Sequence, residues 1–308
     1  MPPPSDTSEL IERAREGDRR SLARLISLVE TGREQGRQAL ASLFPHTGRA
    51  WTVGVTGSPG AGKSTLLDLL IGHYRAAGLS VGVVVVDPSS PFSGGALLGD
   101  RVRMQGHVSD QGVFVRSMST RGHLGGVADA TAKVLMVLDS VGFDVVLIET
   151  VGVGQTEVEV TEMADTTLVV VTPASGDDIQ AAKAGLLEVG DVFCVNKADL
   201  PGADDIVGHL TQMLEMGGSQ PWAPPIATVS ARRGEGIETL TSLLDDHRRY
   251  LGPHLDQDRA SRLALILRRA LIAEITHHVV GASFPPEALL QVTDRQIDPW
   301  TIARRLTG

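Results

Sequence analysis

Apolar residues recur along this chain in two different patterns, and the change from one to the other divides it into three zones. From residue 8 to about 45, Leu10, Ile11, Ala14, Leu22, Leu25, Ile26 and Val29 fall at helical spacing with charges between them, the pattern of helices with one apolar face. It predicts two short amphipathic helices, broken near Gly17-Asp18 and ended near Gly32, that act as a packing appendage. From about 49 to 250, continuous apolar runs at 51–56, 81–87, 113–116, 144–149, 167–172, 192–196 and 226–230 alternate with helical patterns. Runs without a polar face belong to strands covered on both sides, so this zone reads as an α/β domain with a mostly parallel sheet flanked by helices. From 251 to 308 the helical pattern returns, with Leu263, Leu265, Ile266, Leu267, Leu271 and Ile275 set among arginines. The predicted organisation is an N-terminal helical extension over 1–48, the α/β domain over 49–250 and a C-terminal helical arm over 251–308.

Composition narrows the function classes. With 308 residues, 42% of them hydrophobic and 21% charged, the chain can build a sizeable core and is not a disordered polymer. Lys and Arg total 28 against 37 Asp and Glu, a formal charge of −9, so bulk electrostatics favour neither nucleic acid nor an anionic membrane surface. The start has no basic and apolar signal region, and no apolar run approaches the roughly 20 residues of a membrane helix. A cytoplasmic location, with no nucleic-acid and no membrane partner, is the expectation. The single cysteine, Cys194, excludes an intrachain disulfide and a cysteine-based metal cluster.

The chemistry begins at Gly57-Ser58-Pro59-Gly60-Ala61-Gly62-Lys63-Ser64-Thr65, which matches G-x-x-x-x-G-K-[ST] between a strand and an apolar helical pattern. Glycines allow backbone N–H groups to converge on phosphate oxygens, and the following helix adds its positive N-terminal end. Lys63 is placed to reach the β- and γ-phosphates, and the Ser64 hydroxyl to ligate Mg²⁺.

Asn196-Lys197-Ala198-Asp199 follows the apolar run Val192-Phe193-Cys194-Val195. A carboxylate at Asp199 can accept from N1–H and the 2-amino group of guanine, whereas adenine offers neither donor. Ser230-Ala231-Arg232, at the end of the 226–230 run, is placed for its backbone to contact guanine O6. The nucleotide is read as GTP and its product GDP.

Asp144 to Glu149 is an apolar run ending in a carboxylate, followed by Thr150-Val151-Gly152. Glu149 is therefore a candidate metal and catalytic carboxylate, and the Gly152 N–H a sensor of the γ-phosphate. The 81–87 run ends at Asp87, and Asp100 lies further along the same connection; both are candidates near Mg²⁺. Val153 stands directly after Gly152, where Ras-like GTPases carry the glutamine that orients water, and Gln155 lies two positions on. Slow intrinsic hydrolysis, accelerated by a partner, follows.

These segments together resemble the MeaB/ArgK family of G-protein chaperones of adenosylcobalamin-dependent acyl-CoA mutases. The resemblance rests on the phosphate loop, Val86-Asp87-Pro88-Ser89-Ser90-Pro91, Gly99-Asp100-Arg101-Val102-Arg103-Met104, Thr120-Arg121-Gly122-His123-Leu124-Gly125-Gly126, and Glu149-Thr150-Val151-Gly152-Val153-Gly154-Gln155-Thr156-Glu157. Gly176-Asp177-Asp178-Ile179-Gln180, Asn196–Asp199, a front flank at residues 16–24 and Asp298-Pro299-Trp300 continue it over nearly the whole chain. It implies a SIMIBI-type G domain, a homodimer, Asp87, Asp100 and Glu149 around Mg²⁺, a further switch loop at 176–183, and a methylmalonyl-CoA mutase-type partner whose cofactor loading is gated and protected. The alternative within the same core architecture is a GTPase that delivers nickel to a metalloenzyme. Such proteins add Cys/His ligands, and the nine histidines here show no ligand-like cluster beside Cys194.

Overall fold

The seven apolar runs pair into one parallel sheet, which fixes everything else about the architecture. In the computed structural model the described residues are 7–87, 105–107, 109–119, 126–150, 162–173, 189–216, 221–281, 286–298, 301 and 305. Among them β1 (Trp51–Gly57), β2 (Val81–Asp87), β3 (Val113–Ser119), β4 (Val145–Thr150), β5 (Thr166–Val171), β6 (Val192–Asn196) and β7 (Ile226–Val229) lie in the order β3-β2-β4-β1-β5-β6-β7. Every residue of β4, β5 and β6 is buried, as continuous hydrophobicity requires.

Helices cover both faces. On one, α4 (Lys63–Ala76) and α7 (Ile237–Leu251) pack Leu66, Leu67, Leu70, Ile71, Leu240 and Leu244 against Val53, Val55, Leu147 and Val170. On the other lie α5 (Gly126–Ser140) and α6 (Ala203–Met216), over Val146 and Ile148 and over Val169 and Phe193 respectively. Cys194 is fully buried inside β6, and burial raises its thiol pKa, so it is an inert core residue.

The N-terminal zone is a further layer outside α5. It contains α1 (Thr7–Arg15), α2 (Arg19–Glu30) and α3 (Glu34–Leu43), whose Leu10, Leu22, Leu25, Ile26, Val29 and Leu43 join the same apolar cluster as α5. The expected break is present: Gly17 takes a positive φ of 89° and Asp18 caps α2 by accepting from Arg20 N at 3.0 Å. The third helix departs from the two-helix expectation. Gly36 sits inside α3 where a Cβ would lie 2.4 Å from the Leu28 carbonyl oxygen, so it is a contact glycine between α2 and α3 and not a helix breaker.

β3 likewise runs beyond the expected 113–116, because Ser117, Met118 and Ser119 pair with Val85, Val86 and Asp87. As the edge strand it carries polar residues; Arg116 Nε donates to Glu30 Oε1 of α2 at 3.2 Å, and Arg19 donates to the Val113 carbonyl.

The chain divides into two compact units, Met1–Ile266 and Leu267–Gly308, and α8 (Leu255–Gly281) contributes to both. In the first unit its Arg259 and Arg262 close on Asp165, whose side chain is 3% exposed. Arg259 Nη2 lies 3.1 Å from Asp165 Oδ2 and also donates to the Ala50 carbonyl at 2.7 Å. The second unit holds the remainder of α8 and α9 (Pro286–Thr293), with Leu267, Leu271, Ile272, Ile275 and Leu290 exposed. No described helix is long and apolar enough to cross a membrane.

Candidate functional site

In a parallel sheet all strands end on one edge, and ligands bind where the connections diverge to opposite faces. Here that edge carries the ends of β1, β4, β6 and β7, so motifs up to 173 residues apart (Gly57 to Ser230) are collected by topology alone.

β1 ends at Gly57, which pairs with Val170 of β5 so closely that a Cβ would meet the Val170 oxygen at 2.0 Å. The chain then turns through Ser58 to Gly62 and enters α4 at Lys63. Gly60 and Gly62 take φ of 80° and 90°, the left-handed conformation that glycine adopts without a side-chain clash. Lys63 is buried, with its ammonium folded onto the loop's own carbonyls, those of Gly57 and of Ser58 at 3.1 Å. Thr65 is the next residue of the first turn of α4 and is exposed.

The metal side is built by α4 and β4. Ser64 Oγ donates to Glu149 Oε1 at 2.6 Å, both residues being buried. Register places Glu149 beside Val55 of β1 and Val85 of β2, and Asp87 follows two residues beyond Val85 at the end of β2. A hydroxyl and a carboxylate meeting at the mouth of a phosphate loop form a hard oxygen donor set of the kind that suits Mg²⁺. Asp100, Gly152 and the 176–183 loop lie outside the described residues, as does the side chain of Asp87. Among the described residues there is no group of three or more His, Cys, Asp or Glu that would hold a metal ion.

The base side is built by β6 and β7. Asn196, 1% exposed, ends β6 and reaches across to the phosphate loop: its Nδ2 donates to the Ala61 carbonyl at 2.8 Å. Its Oδ1 accepts from Lys197 N at 2.8 Å and Ala231 N at 3.1 Å. Lys197 holds a φ of 58°, in the left-handed region that non-glycine residues seldom adopt. The Ser230 hydroxyl donates to Asp199 Oδ1 at 2.7 Å. That hydrogen bond and the nearby Arg233, with Nε 3.9 Å from Asp199 Oδ2, hold the carboxyl below the usual carboxylate range. Ser230 exchanges backbone bonds with Glu235 at 3.1 and 3.2 Å, which closes the turn that carries Ala231, Arg232 and Arg233.

The structure thus brings Gly57 to Ser64, Glu149, Asn196, Lys197, Asp199 and Ser230 to Arg232 to one edge. The sequence reading assigned the 230–232 triplet a backbone role and missed that the Ser230 side chain orients Asp199. Serine in that position, one strand after the N-K-x-D segment, is the only sequence signal for it.

The protein-family model described as "Methylmalonyl Co-A mutase-associated GTPase MeaB" matches residues 22–283. A Pyrococcus abyssi protein named as a GTPase is 46% identical over 96% of this chain and 94% of its own length. The mouse methylmalonic aciduria type A homolog, a mitochondrial protein, is 35% identical over 73% of this chain and 59% of its own. Among solved structures, a LAO/AO transport system kinase superposes with a TM-score of 0.74 at 28% identity, covering 100% of this chain and 98% of that one.

Proposed function

Because the chain belongs to the methylmalonyl-CoA mutase-associated GTPase family, and is a GTPase by that membership, we propose that it is the GTP-driven chaperone of an adenosylcobalamin-dependent acyl-CoA mutase. The reading assigns it the loading and protection of the mutase's B12 cofactor. It works as a homodimer through the arm over 251–308, with the nucleotide domain over 49–250 and the extension over 1–48 packed against it.

The observation that carries the nucleotide half of this reading is the Ser230–Asp199 hydrogen bond of 2.7 Å. It presents an ionised carboxylate at the base end of a phosphate loop, and guanine has two adjacent donors for such a group where adenine has none. The family match supports the mutase half.

In this reading Ser64, Glu149, Asp87 and Asp100 are the residues that would hold Mg²⁺, which would supply charge neutralisation at the phosphates. Lys63 leaves the loop carbonyls for the phosphate oxygens. The Gly152 N–H reports on the γ-phosphate, and the GTP and GDP states differ in affinity for the mutase, as any nucleotide-driven partner cycle requires. Because valine at 153 cannot orient water, turnover by the chain alone is slow and the partner accelerates it.

The test is GTP turnover by the purified protein, alone and with candidate adenosylcobalamin-dependent mutases. Stimulation by one such mutase, with no matching effect on ATP, is the expected result. Turnover indifferent to every such mutase discards the chaperone role and leaves the GTPase standing.

A further inference from the structure

We propose that Gly236 is a positioning residue for guanine recognition. Having no side chain, it lets the turn over 230–235 close on β7 and so holds Ser230 against Asp199. The inference rests on the reading of Asp199 as the acceptor for the base.

The turn between β7 and α7 addresses both base-side residues. The Ser230 hydroxyl donates to Asp199 Oδ1 at 2.7 Å, Arg233 Nε lies 3.9 Å from Asp199 Oδ2, and Ala231 N donates to Asn196 Oδ1 at 3.1 Å. Three backbone bonds shape the turn. Ser230 N donates to the Glu235 carbonyl at 3.1 Å, and the Ser230 carbonyl accepts from Arg233 N at 3.0 Å and from Glu235 N at 3.2 Å. A turn closed in this way brings its end back over the strand it left. There stands Gly236, and a Cβ on it would lie 2.2 Å from the Thr228 carbonyl oxygen and 3.2 Å from Val229 Cα. Its φ of 81° is also left-handed.

The consequence of a side chain at 236 depends on which neighbour gives way. Gly236 leads directly into α7: Leu240 N donates to its carbonyl at 3.1 Å, and Leu240 and Leu244 are fully buried in the core. β7 is an edge strand of four residues, paired with β6 alone among the described strands. The strand therefore yields before the helix does. Carbon meets a carbonyl oxygen at about 3.3 Å or more, so the shift required is about 1 Å. Ser230 follows Thr228 by two residues and moves with it. A hydroxyl bond of 2.7 Å stretched by that amount is no longer a hydrogen bond.

Gly234, in the same turn, separates contact from backbone strain. Its φ is 72°, yet a Cβ there would meet nothing within 4 Å.

The readout is the equilibrium affinity of the full-length protein for GDP and for ADP. ADP carries the same phosphates but offers Asp199 neither an N1–H nor a 2-amino group. Losing a hydrogen bond to a charged group weakens binding by about ten- to a hundredfold. Gly236→Ala should lower the preference for GDP over ADP by about that factor, with ADP affinity unchanged. Gly234→Ala should melt at a lower temperature, as alanine does at positive φ, and keep the preference. Ser230→Ala should also lower the preference, and adding Gly236→Ala to it should cost less than Gly236→Ala does alone. Where Gly236→Ala does not fold, a glycine inserted after Gly234 opens the Ser230–Glu235 bridge without a new Cβ, and the same preference should be lost.

An unchanged preference in Gly236→Ala or in the insertion variant overturns the role of Gly236. So does an equal loss in Gly234→Ala, or full additivity with Ser230→Ala. A wild type that binds ADP as tightly as GDP overturns the guanine reading of Asp199 and the inference with it.

Discussion

Asn196 Nδ2 donates to the Ala61 carbonyl at 2.8 Å, so the end of β6 is bonded directly to the phosphate loop. Its other amide atom accepts from Lys197 N and Ala231 N, which makes one buried side chain the junction of phosphate loop, base segment and β7 turn. Asn196→Ala leaves those buried groups without partners, at about 1–3 kcal/mol for each one not reached by water. Both GTP and ATP should then bind more weakly, by at least about tenfold, because the loop shared by all nucleotides is loosened. Titration calorimetry with the two nucleotides checks this; weakening confined to GTP would contradict the junction role.

Lys63→Ala removes the only ammonium in the phosphate loop. A charge-assisted hydrogen bond is worth about 1.5–3 kcal/mol, so affinity for GTP should drop by roughly ten- to a hundredfold. Removal also leaves the buried Gly57 carbonyl short of a partner, so a modest loss of stability should accompany the loss of affinity. Equilibrium binding and a thermal melt on the same sample separate the two effects.

Asp199→Asn replaces an acceptor by a donor at one of the two atoms facing the base edge. Preference should shift from guanosine toward xanthosine nucleotides, whose C2 carbonyl accepts where guanine donates. Because the Asp199 pKa is depressed, its carboxylate stays ionised until the pH falls through that lowered value. Wild-type preference for GTP over ATP should therefore be flat from about pH 8 down to about pH 5. Competition binding across that range is the measurement, and full retention of guanine preference by the variant would remove the base assignment.

Asp165→Asn tests the buried cluster on the opposite edge. It deprives Arg259 and Arg262 of their shared carboxylate, and breaking a buried pair costs about 3–5 kcal/mol. Urea midpoints should drop accordingly while the GDP dissociation constant stays the same.

His247 and Asp191 should oppose each other in acid. Trp51 Nε1 donates to Thr166 Oγ1 at 3.0 Å, and His247 Nδ1 lies 2.9 Å from that oxygen. On its other side His247 Nε2 lies 3.4 Å from Asp191 Oδ1. Burial lowers the His247 pKa to about 4 and raises that of Asp191 to about 6. The unfolded chain binds the extra proton at His247 between about pH 4 and 6.5, so that term raises stability with pH; Asp191 binds its proton more tightly when folded, so its term lowers stability from about pH 4 to 6. Relative to wild type, Asp191→Asn should gain stability as pH rises from about 4 to 6 and level off above. Chemical denaturation at several pH values checks the sign; a difference independent of pH would refute it.

Much of the fold was legible because buried parallel strands leave an unambiguous trace. The runs at 81–87 and 192–196 coincide with β2 and β6, and the phosphate loop lies between strand and helix as its motif demands. α3 was not legible, since the apolar positions at helical spacing stop at Val29 and the pattern ends near Gly32; the close approach of Gly36 to the Leu28 carbonyl that seats α3 on α2 leaves no periodic trace. The end of β3 was hidden for a different reason: Ser117, Met118 and Ser119 leave no continuous apolar trace, and only their pairing with Val85, Val86 and Asp87 of β2 marks them as strand.

The sequence by itself determined where the phosphate-loop and N-K-x-D segments lie and which residues are candidates for the chemistry, because such motifs demand particular side chains at fixed local spacing. It also determined that the sheet is parallel, because strands covered on both faces must be apolar throughout. Only the tertiary structure decided which distant groups hold those residues in place. Ser230 on Asp199, Asn196 on Ala61 and two arginines on Asp165 are pairings between segments 31 to 135 residues apart. Local periodicity carries no record of such contacts, since they depend on the order in which strands assemble and not on the pattern within any one of them.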